Sequence, residues 1–174
     1  MTQEDKQLLL VDLCARLPYG VKGRVYAECS KGEYDINGDM IFFDSPFDVT
    51  LDDINISTEE IHVIAIGNED TFAFIEDQQT WGSPYTIDEF KPYLRPLSSM
   101  TEEEKKEYQS LCEIHFERDA DDNVTYYYFD SIESIDWLNK KMFDYRGLID
   151  EDLAIEVTKD NNPYENQSRT WNKR

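Results

Sequence analysis

Apolar residues recur at helical spacing at the start of the chain and at alternating spacing after it. In residues 3–16, Leu9, Leu10 and Leu13 fall on one side of an α-helix, which ends before Pro18. Beyond the proline, apolar positions alternate with polar ones, which is typical of strands with one face buried. The pattern therefore predicts an N-terminal helix followed by a sheet.

About four or five short strands are predicted between residues 20 and 98. Asn37 and Gly38 form the strongest short-range signal for a hairpin turn. The Asp52-Asp53 pair shifts the alternation by one residue, which predicts a β-bulge. The stretch PYLRPLS contains two prolines and predicts an edge strand, because proline lacks the N–H that a sheet ladder needs.

The helical period returns from Ser98 onward. Thr101 and Glu104 match a capping box at the start of a helix. The segments EIHFERD and NVTYYYFD flank a turn and predict a second hairpin. A third helix is predicted in IESIDWLNKKMFDY, with these residues facing inward: Ile132, Ile135, Trp137, Leu138 and Met142.

These elements together predict an α+β protein with a small twisted or SH3-like barrel sheet. Residues 1–99 are expected to form the N-terminal helix and the barrel-like sheet. Residues 100–157 are expected to form a C-terminal α-β-β-α unit packed on it, and residues 158–174, which are polar and aperiodic, a mobile tail.

Charge is the most unusual property of the composition. The 38 acidic residues outnumber the 17 lysines and arginines among 174 residues, and the net charge is −21. Phosphate backbones and anionic membrane surfaces repel such a surface, so we expect neither direct nucleic-acid binding nor membrane binding. The N-terminal residues lack the pattern of a signal peptide, and we expect a cytoplasmic protein.

Little in the sequence indicates catalysis. His62 and His115 lie inside alternating strand patterns at positions that predict exposure, and no common nucleophile, phosphate-loop or zinc-hydrolase motif occurs. Three widely spaced cysteines form neither a disulfide framework nor a zinc cluster. We therefore expect a non-enzymatic protein without catalytic residues, a cofactor or a metal.

The acidic residues are unevenly distributed. Between Gly32 and Phe90 there are fifteen acids and no lysine or arginine. Carboxylates two residues apart on a strand repeat at roughly 6–7 Å, near the spacing of DNA phosphates, so the pattern predicts binding of a basic protein, including DNA mimicry. Simple solubility is the alternative interpretation. The predicted acidic binding face comprises Asp48, Asp52, Asp53, Glu59, Glu60, Glu69, Asp70, Glu76 and Asp77.

Two other binding modes stay open. Trp81, Tyr85 and Tyr93 lie close in sequence and could line the aromatic groove of a small-barrel adaptor. A binder of nucleotide signals would instead need a local basic cluster, for which the chain offers Lys22, Arg24, Lys91 and Arg95.

Three motifs carry a resemblance to a known family. These are LCARLPYGVK, KPYLRPLSSMTEEEKKEY and IDWLNKKMFDYRGLIDEDLAIEV, at the beginning, middle and end of the chain. They resemble a protein family of gut Bacteroidales genomes, their prophages and their phages. The resemblance implies no activity and no catalytic residue. It implies the context of a mobile element in a bacterial host cell. We therefore expect an accessory protein that engages a basic, nucleic-acid-binding host protein, for example as an anti-defence factor, with a small-barrel adaptor in a phage or host assembly as the alternative.

Overall fold

The computed structural model describes residues 1–38, 40–65, 85–119 and 123–165, without the side chains of residues 26–34, 40–45 and 64–65. The described part is a mixed α+β fold with three α-helices, as the sequence predicts: α1 (Gln3–Arg16), α2 (Glu102–Leu111) and α3 (Ile132–Lys140). Its strands are β1 (Lys22–Tyr34), β2 (Met40–Asn55), β3 (Glu60–Ala65), β4 (Tyr85–Thr86), β5 (Phe90–Pro96), β6 (Glu113–Arg118), β7 (Val124–Phe129), β8 (Phe143–Asp144) and β9 (Ile155–Glu156).

Seven of the strands form one mostly antiparallel, open sheet with the order β4-β3-β2-β1-β5-β8, and β9 also pairs with β5. Only β8 and β9 run parallel to β5. The closed, SH3-like form of the sheet stays a prediction. Strands β6 and β7 form a separate two-stranded sheet, which is the predicted second hairpin.

Helix α1 begins at the predicted place because Thr2 and Asp5 cap it reciprocally. Its apolar stripe, with Leu9 and Leu13 fully buried, packs into the main core of the sheet. The same helix buries a charged pair: Arg16 donates through Nε to Asp12 Oδ2 at 2.7 Å, and neither side chain is exposed. A second bond from Arg16 to the carbonyl of Phe143, at 2.8 Å, ties the helix to β8.

Two local predictions for the sheet are confirmed. The chain turns between β1 and β2 at Asn37 and Gly38, where the glycine takes a φ of 86°. The register of β2 against β3 shifts between Leu51 and Asp53, which places the predicted bulge at the aspartate pair.

The prediction that PYLRPLS is an edge strand is wrong, because β5 lies between β1 and the β8 and β9 strands. Each half of β5 serves a different neighbour: residues 90–92 pair with β1, and residues 93–96 pair with β9 and β8. Its prolines are tolerated because neither neighbour pairs with the whole strand. Pro92 lies opposite Gly23, where an added Cβ would come within 2.5 Å of the Phe90 ring.

Helix α3 also departs from the prediction at one residue. Ile132 was expected to face inward but is 86% exposed, because it follows the N-cap Ser131 on the outer side of the first turn. Trp137 and Leu138 are buried as expected. They form a second, smaller core with Phe143 of β8, and the Trp137 and Phe143 rings stack at 5.6 Å.

The first part of the expected mobile tail lies against the sheet. Lys22 Nζ donates to the carbonyl of Pro163 at 2.7 Å. The Tyr164 hydroxyl accepts from the Lys22 N–H at 3.1 Å and donates to the carbonyl of Tyr93 at 3.0 Å. Burial raises the pKa of Tyr164 to about 12. Residues 158–165 are therefore part of the fold, and residues 166–174 lie outside the described residues.

Candidate protein-binding surfaces

Strands β6 and β7 form a hairpin whose residues are all exposed to solvent. The strands pair in a single register, from Glu113 opposite Phe129 to Arg118 opposite Val124. No other strand in the described residues pairs with either one. We call this element the aromatic hairpin, because its exposed large apolar residues, each 37–64% exposed, are Ile114, Phe116, Val124, Tyr126, Tyr127, Tyr128 and Phe129.

The register divides these side chains between two faces. One face brings together Ile114 with Tyr128 and Phe116 with Tyr126, which are directly opposite across the strands. Cross-strand aromatic and aliphatic pairs of this kind stabilise a hairpin. This face is apolar over most of its length and has no layer of the described structure packed on it, since each of these four side chains is at least half exposed.

The other face of the aromatic hairpin mixes aromatic and charged groups. The His115 ring meets the Phe129 ring edge-on, with centroids 5.0 Å apart. Tyr127 donates a hydrogen bond of 3.3 Å from its hydroxyl to Glu117. A shallow groove on this face is lined by His115, Glu117, Tyr127 and Phe129, and Phe116, between His115 and Glu117 in sequence, also borders it.

The base of the aromatic hairpin is anchored on α2 and α3. Ser131 donates through its hydroxyl to the carbonyl of Leu111 at 2.7 Å, which joins the two helices where the hairpin begins and ends. The Tyr108 hydroxyl donates to Asp130, and burial together with this carboxylate raises the pKa of Tyr108. Tyr108 also packs on the Trp137 ring, with centroids 5.9 Å apart.

Helix α2 is in turn fixed to the main sheet. Arg95 of β5 donates two hydrogen bonds to Glu104, at 2.8 and 2.9 Å. The guanidinium lowers the pKa of Glu104 to about 2, and the capping box with Thr101 contributes in the same direction. The aromatic hairpin therefore projects from a support that ion pairs and a small core connect to the sheet.

The bulge in β2 exposes two adjacent acids of the predicted acidic face. Asp52 and Asp53 are both exposed, whereas Leu51 before them and Ile54 after them pack in the core. On a regular strand one of two adjacent residues would point inward. Asp53 lies opposite the exposed His62, and Glu60 lies on the same outer side of β3.

Two other residues of the predicted acidic face have partners within the chain. Asp48 accepts hydrogen bonds from Arg24 Nε at 2.9 Å and from the Tyr93 hydroxyl at 2.8 Å. Glu59 lies 3.9 Å from the amine of Lys6. Glu60 is half-buried and accepts a hydrogen bond of 2.6 Å from the Thr58 hydroxyl. The described acidic face therefore centres on Asp52 and Asp53, and four predicted members lie outside the described residues: Glu69, Asp70, Glu76 and Asp77.

The residues proposed for an aromatic groove do not come together in the described structure. Tyr93 is 1% exposed and belongs to the core of the sheet. Tyr85 is half-buried on β4, and three strands, β3, β2 and β1, separate β4 from β5. Trp81 lies outside the described residues. Tyr93 therefore has no surface with which to line a groove.

The four basic residues proposed for a nucleotide site are each engaged with an oxygen of this chain. Lys22 is buried against the Pro163 carbonyl, and Arg24 pairs with Asp48. Lys91 pairs with Asp152 at 2.8 Å, and Arg95 with Glu104. These contacts leave little positive charge for a bound phosphate.

The aromatic hairpin was predicted as structure but not as a surface. The segment NVTYYYFD places apolar and aromatic residues at consecutive positions, a pattern that is typical of a strand buried on both faces. One sequence signal could have identified this surface. Only two short strands are described between α2 and α3, so the unit itself has no third strand that could cover them.

Within the described ranges, no group of three or more His, Cys, Asp or Glu side chains is arranged to hold a metal ion. No helix in these ranges is long and apolar enough to cross a membrane. The chain matches no protein-family model, no curated protein and no solved structure.

Proposed function

We propose that this chain is a non-enzymatic binding protein that docks on another protein through the aromatic hairpin. The observation that carries this proposal is the exposure of seven large apolar side chains on a two-stranded element. Soluble proteins rarely leave large contiguous apolar patches uncovered, and such patches mark interaction sites. Tyrosine and phenylalanine are also the residues that contribute most area to binding surfaces at low entropic cost.

The proposed partner is basic. The chain carries a net charge of −21, and the aromatic hairpin itself includes Glu113, Glu117 and Asp119 against one arginine, Arg118. Opposite charge on the partner would accelerate association and favour one orientation. A nucleic-acid-binding host protein satisfies this requirement, and a phage or mobile-element accessory protein with an anti-defence role is the biological setting that the resemblance supports. The proposal is independent of whether the sheet closes into a small SH3-like barrel.

The acidic face of β2 and β3 is a second candidate site for the same basic partner. The bulge favours it, because Asp52 and Asp53 are both directed to solvent without disturbing the core. A DNA mimic would use this row of carboxylates in place of phosphates. It would then compete with DNA for the partner, and the competition would weaken steeply with salt.

The two sites can be tested with matched variants. The bait is the full chain, presented to an extract of a gut Bacteroidales bacterium; each captured protein is identified, purified and titrated. We expect the double variant Phe116→Ser, Tyr128→Ser to weaken binding by at least about tenfold. The control is Ile36→Ser with Ile56→Ser, which removes two apolar side chains that are also more than half exposed but distant in sequence from the aromatic hairpin.

Charge reversal tests the second site. Replacing Asp52, Asp53, Glu59 and Glu60 by lysine should abolish binding if the acidic face makes the contact. Equal affinity of the hairpin variant and its control would contradict the proposal for the aromatic hairpin. Unchanged affinity of the charge-reversed variant would remove the acidic face from the proposal.

A further inference from the structure

We propose that the outer edge of β7 is the docking edge, and that it accepts an extended segment of the partner as a third strand. The segment would be rich in β-branched residues and carry lysine or arginine at both ends. This inference rests on the proposed function and adds how the partner is held. It concerns backbone hydrogen bonds, whereas the proposed function concerns the exposed side chains.

The backbone alternation of the hairpin identifies which groups face outward. The N–H of Asp119 donates to the carbonyl of Asn123 at 3.0 Å, so this pair at the turn points inward. In an antiparallel ladder, inward and outward pairs alternate, and the register from the turn to the base has no shift. The outward N–H groups on β7 are therefore those of Val124, Tyr126 and Tyr128.

Composition distinguishes the two edges of the hairpin. Proteins protect exposed edges with charges, lysines and prolines, because a bare edge pairs with other chains. Strand β6, EIHFER, contains three charged residues and a histidine. Strand β7, VTYYYF, contains no charge and no proline, and consists only of residues that favour strands. The edge of β7 is thus the one that lacks protection.

The charges at the two ends of β7 favour a basic segment over a second copy of this chain. Asp119 follows β6 and accepts two hydrogen bonds from Asn123, the residue before β7, and Asp130, which accepts from the Tyr108 hydroxyl, directly follows β7. A strand laid along β7 in either direction would therefore meet a carboxylate at each end. Two copies paired through β7 would bring these acids together in two chains of net charge −21, and like charges in contact oppose association.

A third strand would also stabilise the element that receives it. Two-stranded hairpins are marginally stable in water, and three strands with an apolar face are much more stable. The apolar pairs of Ile114 with Tyr128 and of Phe116 with Tyr126 would then continue across the added strand. Binding by strand addition uses the backbone for affinity and alternate side chains for specificity.

The direct experiment uses the full chain and a defined probe, a synthetic peptide of about eight alternating valine and threonine residues with lysines at both ends. Amide hydrogen exchange is measured by NMR with and without the peptide. We expect slower exchange at Val124, Tyr126 and Tyr128, and unchanged exchange at Ile114 and Phe116. A peptide with glutamates in place of the lysines should have no effect.

A proline variant separates backbone from side-chain docking. Tyr126→Pro removes one outward N–H without removing a hydrogen bond of the hairpin, whereas Tyr126→Thr removes the ring and keeps the N–H. Phe116→Pro compared with Phe116→Thr is the matched control on the opposite edge, because the ring is removed in both variants and the difference between them is the N–H. We expect Tyr126→Pro to bind the lysine peptide and the captured partner about tenfold more weakly than Tyr126→Thr, and Phe116→Pro to bind them as Phe116→Thr does.

Each other outcome overturns the inference. Slower exchange along β6, an equal effect of the glutamate peptide, or no effect of either peptide would each contradict it, as would slower exchange on raising the protein concentration without peptide. If Tyr126→Pro still captures the partner while the Phe116→Ser, Tyr128→Ser variant does not, the strand addition is wrong and the proposed function stands. If both variants capture it normally, both proposals fail.

Discussion

The hydroxyl of Ser131 donates a hydrogen bond of 2.7 Å to the carbonyl of Leu111, twenty residues earlier in the chain. The same oxygen accepts from the N–H of Ser134 at 3.0 Å and so caps α3. One hydroxyl thus closes the base of the aromatic hairpin and begins the helix that follows it.

Replacing Ser131 by alanine should therefore lower the free energy of unfolding by about 1–2 kcal/mol, because a cap and a bond between helices are lost together. Urea unfolding measures the change. Ser110→Ala is the control, since the Ser110 hydroxyl bonds only to the carbonyl of Glu107 within the same helix. Equal effects of the two variants would show that the bond to Leu111 contributes nothing.

Removing exposed aromatic residues should leave the fold intact. Phe116 and Tyr128 are each more than half exposed, so Phe116→Ser with Tyr128→Ser should change the free energy of unfolding by no more than about 1 kcal/mol. Phe143 is fully buried, and Phe143→Ala should cost about 3–5 kcal/mol. A large loss of stability in the double variant would mean that these rings are packed and not available to a partner.

The Arg95–Glu104 ion pair should make stability dependent on acid pH. The pKa of Glu104 falls from 4.5 to about 2 on folding, so its stabilisation is complete above about pH 4.5 and is lost as the pH falls towards 2. Glu104→Gln should cost about 2 kcal/mol at pH 7 and almost nothing near pH 2. Denaturation across this range tests it, with the exposed Glu103→Gln as control; a cost that does not change with pH would contradict it.

The buried pair of Asp12 and Arg16 should tolerate loss of both charges better than loss of one. Asp12→Ala leaves the fully buried guanidinium without its carboxylate and should cost about 3–5 kcal/mol. Asp12→Leu combined with Arg16→Met should recover part of that loss, because the fully buried guanidinium is removed too. Only Arg146, which lies 3.3 Å from Asp12 and is partly exposed, is then left without a carboxylate. Thermal unfolding compares the variants. A double variant less stable than Asp12→Ala would contradict this expectation. It would mean that the hydrogen bond from the Arg16 guanidinium to the Phe143 carbonyl contributes more to stability than the Asp12–Arg16 ion pair does.

Features that depend on a few neighbouring residues were predictable from the sequence. The start of α1, the capping box of α2, the Asn37-Gly38 turn and the bulge at Asp52 and Asp53 all appear where the sequence predicts them. In each case the residues that make the structure lie within five positions of one another, so a local pattern contains the information.

Features that depend on distant residues were not predictable in the same way. The prolines of β5 predicted an edge strand. Its partners β8 and β9 have two residues each, which is too short for a recognisable alternation of apolar and polar residues. Nothing in the local sequence distinguishes Asp12 and Arg16 from an exposed ion pair one helical turn apart. Their burial depends on Phe143, which is distant in sequence.

The candidate site was predicted only in part. The uneven distribution of charge predicted the acidic face, and the structure exposes Asp52 and Asp53 there but pairs Asp48 with Arg24. The hairpin itself was predicted, but its exposure was not, because consecutive aromatic residues ordinarily indicate burial. Whether a strand is buried depends on which distant parts of the chain pack on it, and a short stretch of sequence does not contain that information.

The division of β5 between two sets of neighbours has a consequence for synthesis on the ribosome. Residues 90–92 can pair with β1 early, but residues 93–96 have no partner strand until β8 and β9, near the C-terminus, are synthesised. This part of β5 is therefore unpaired while α2, the aromatic hairpin and α3 are synthesised. In a chain that ends after residue 99, the backbone groups of residues 93–96 would stay unpaired. We expect this fragment to aggregate and not to fold as an independent domain.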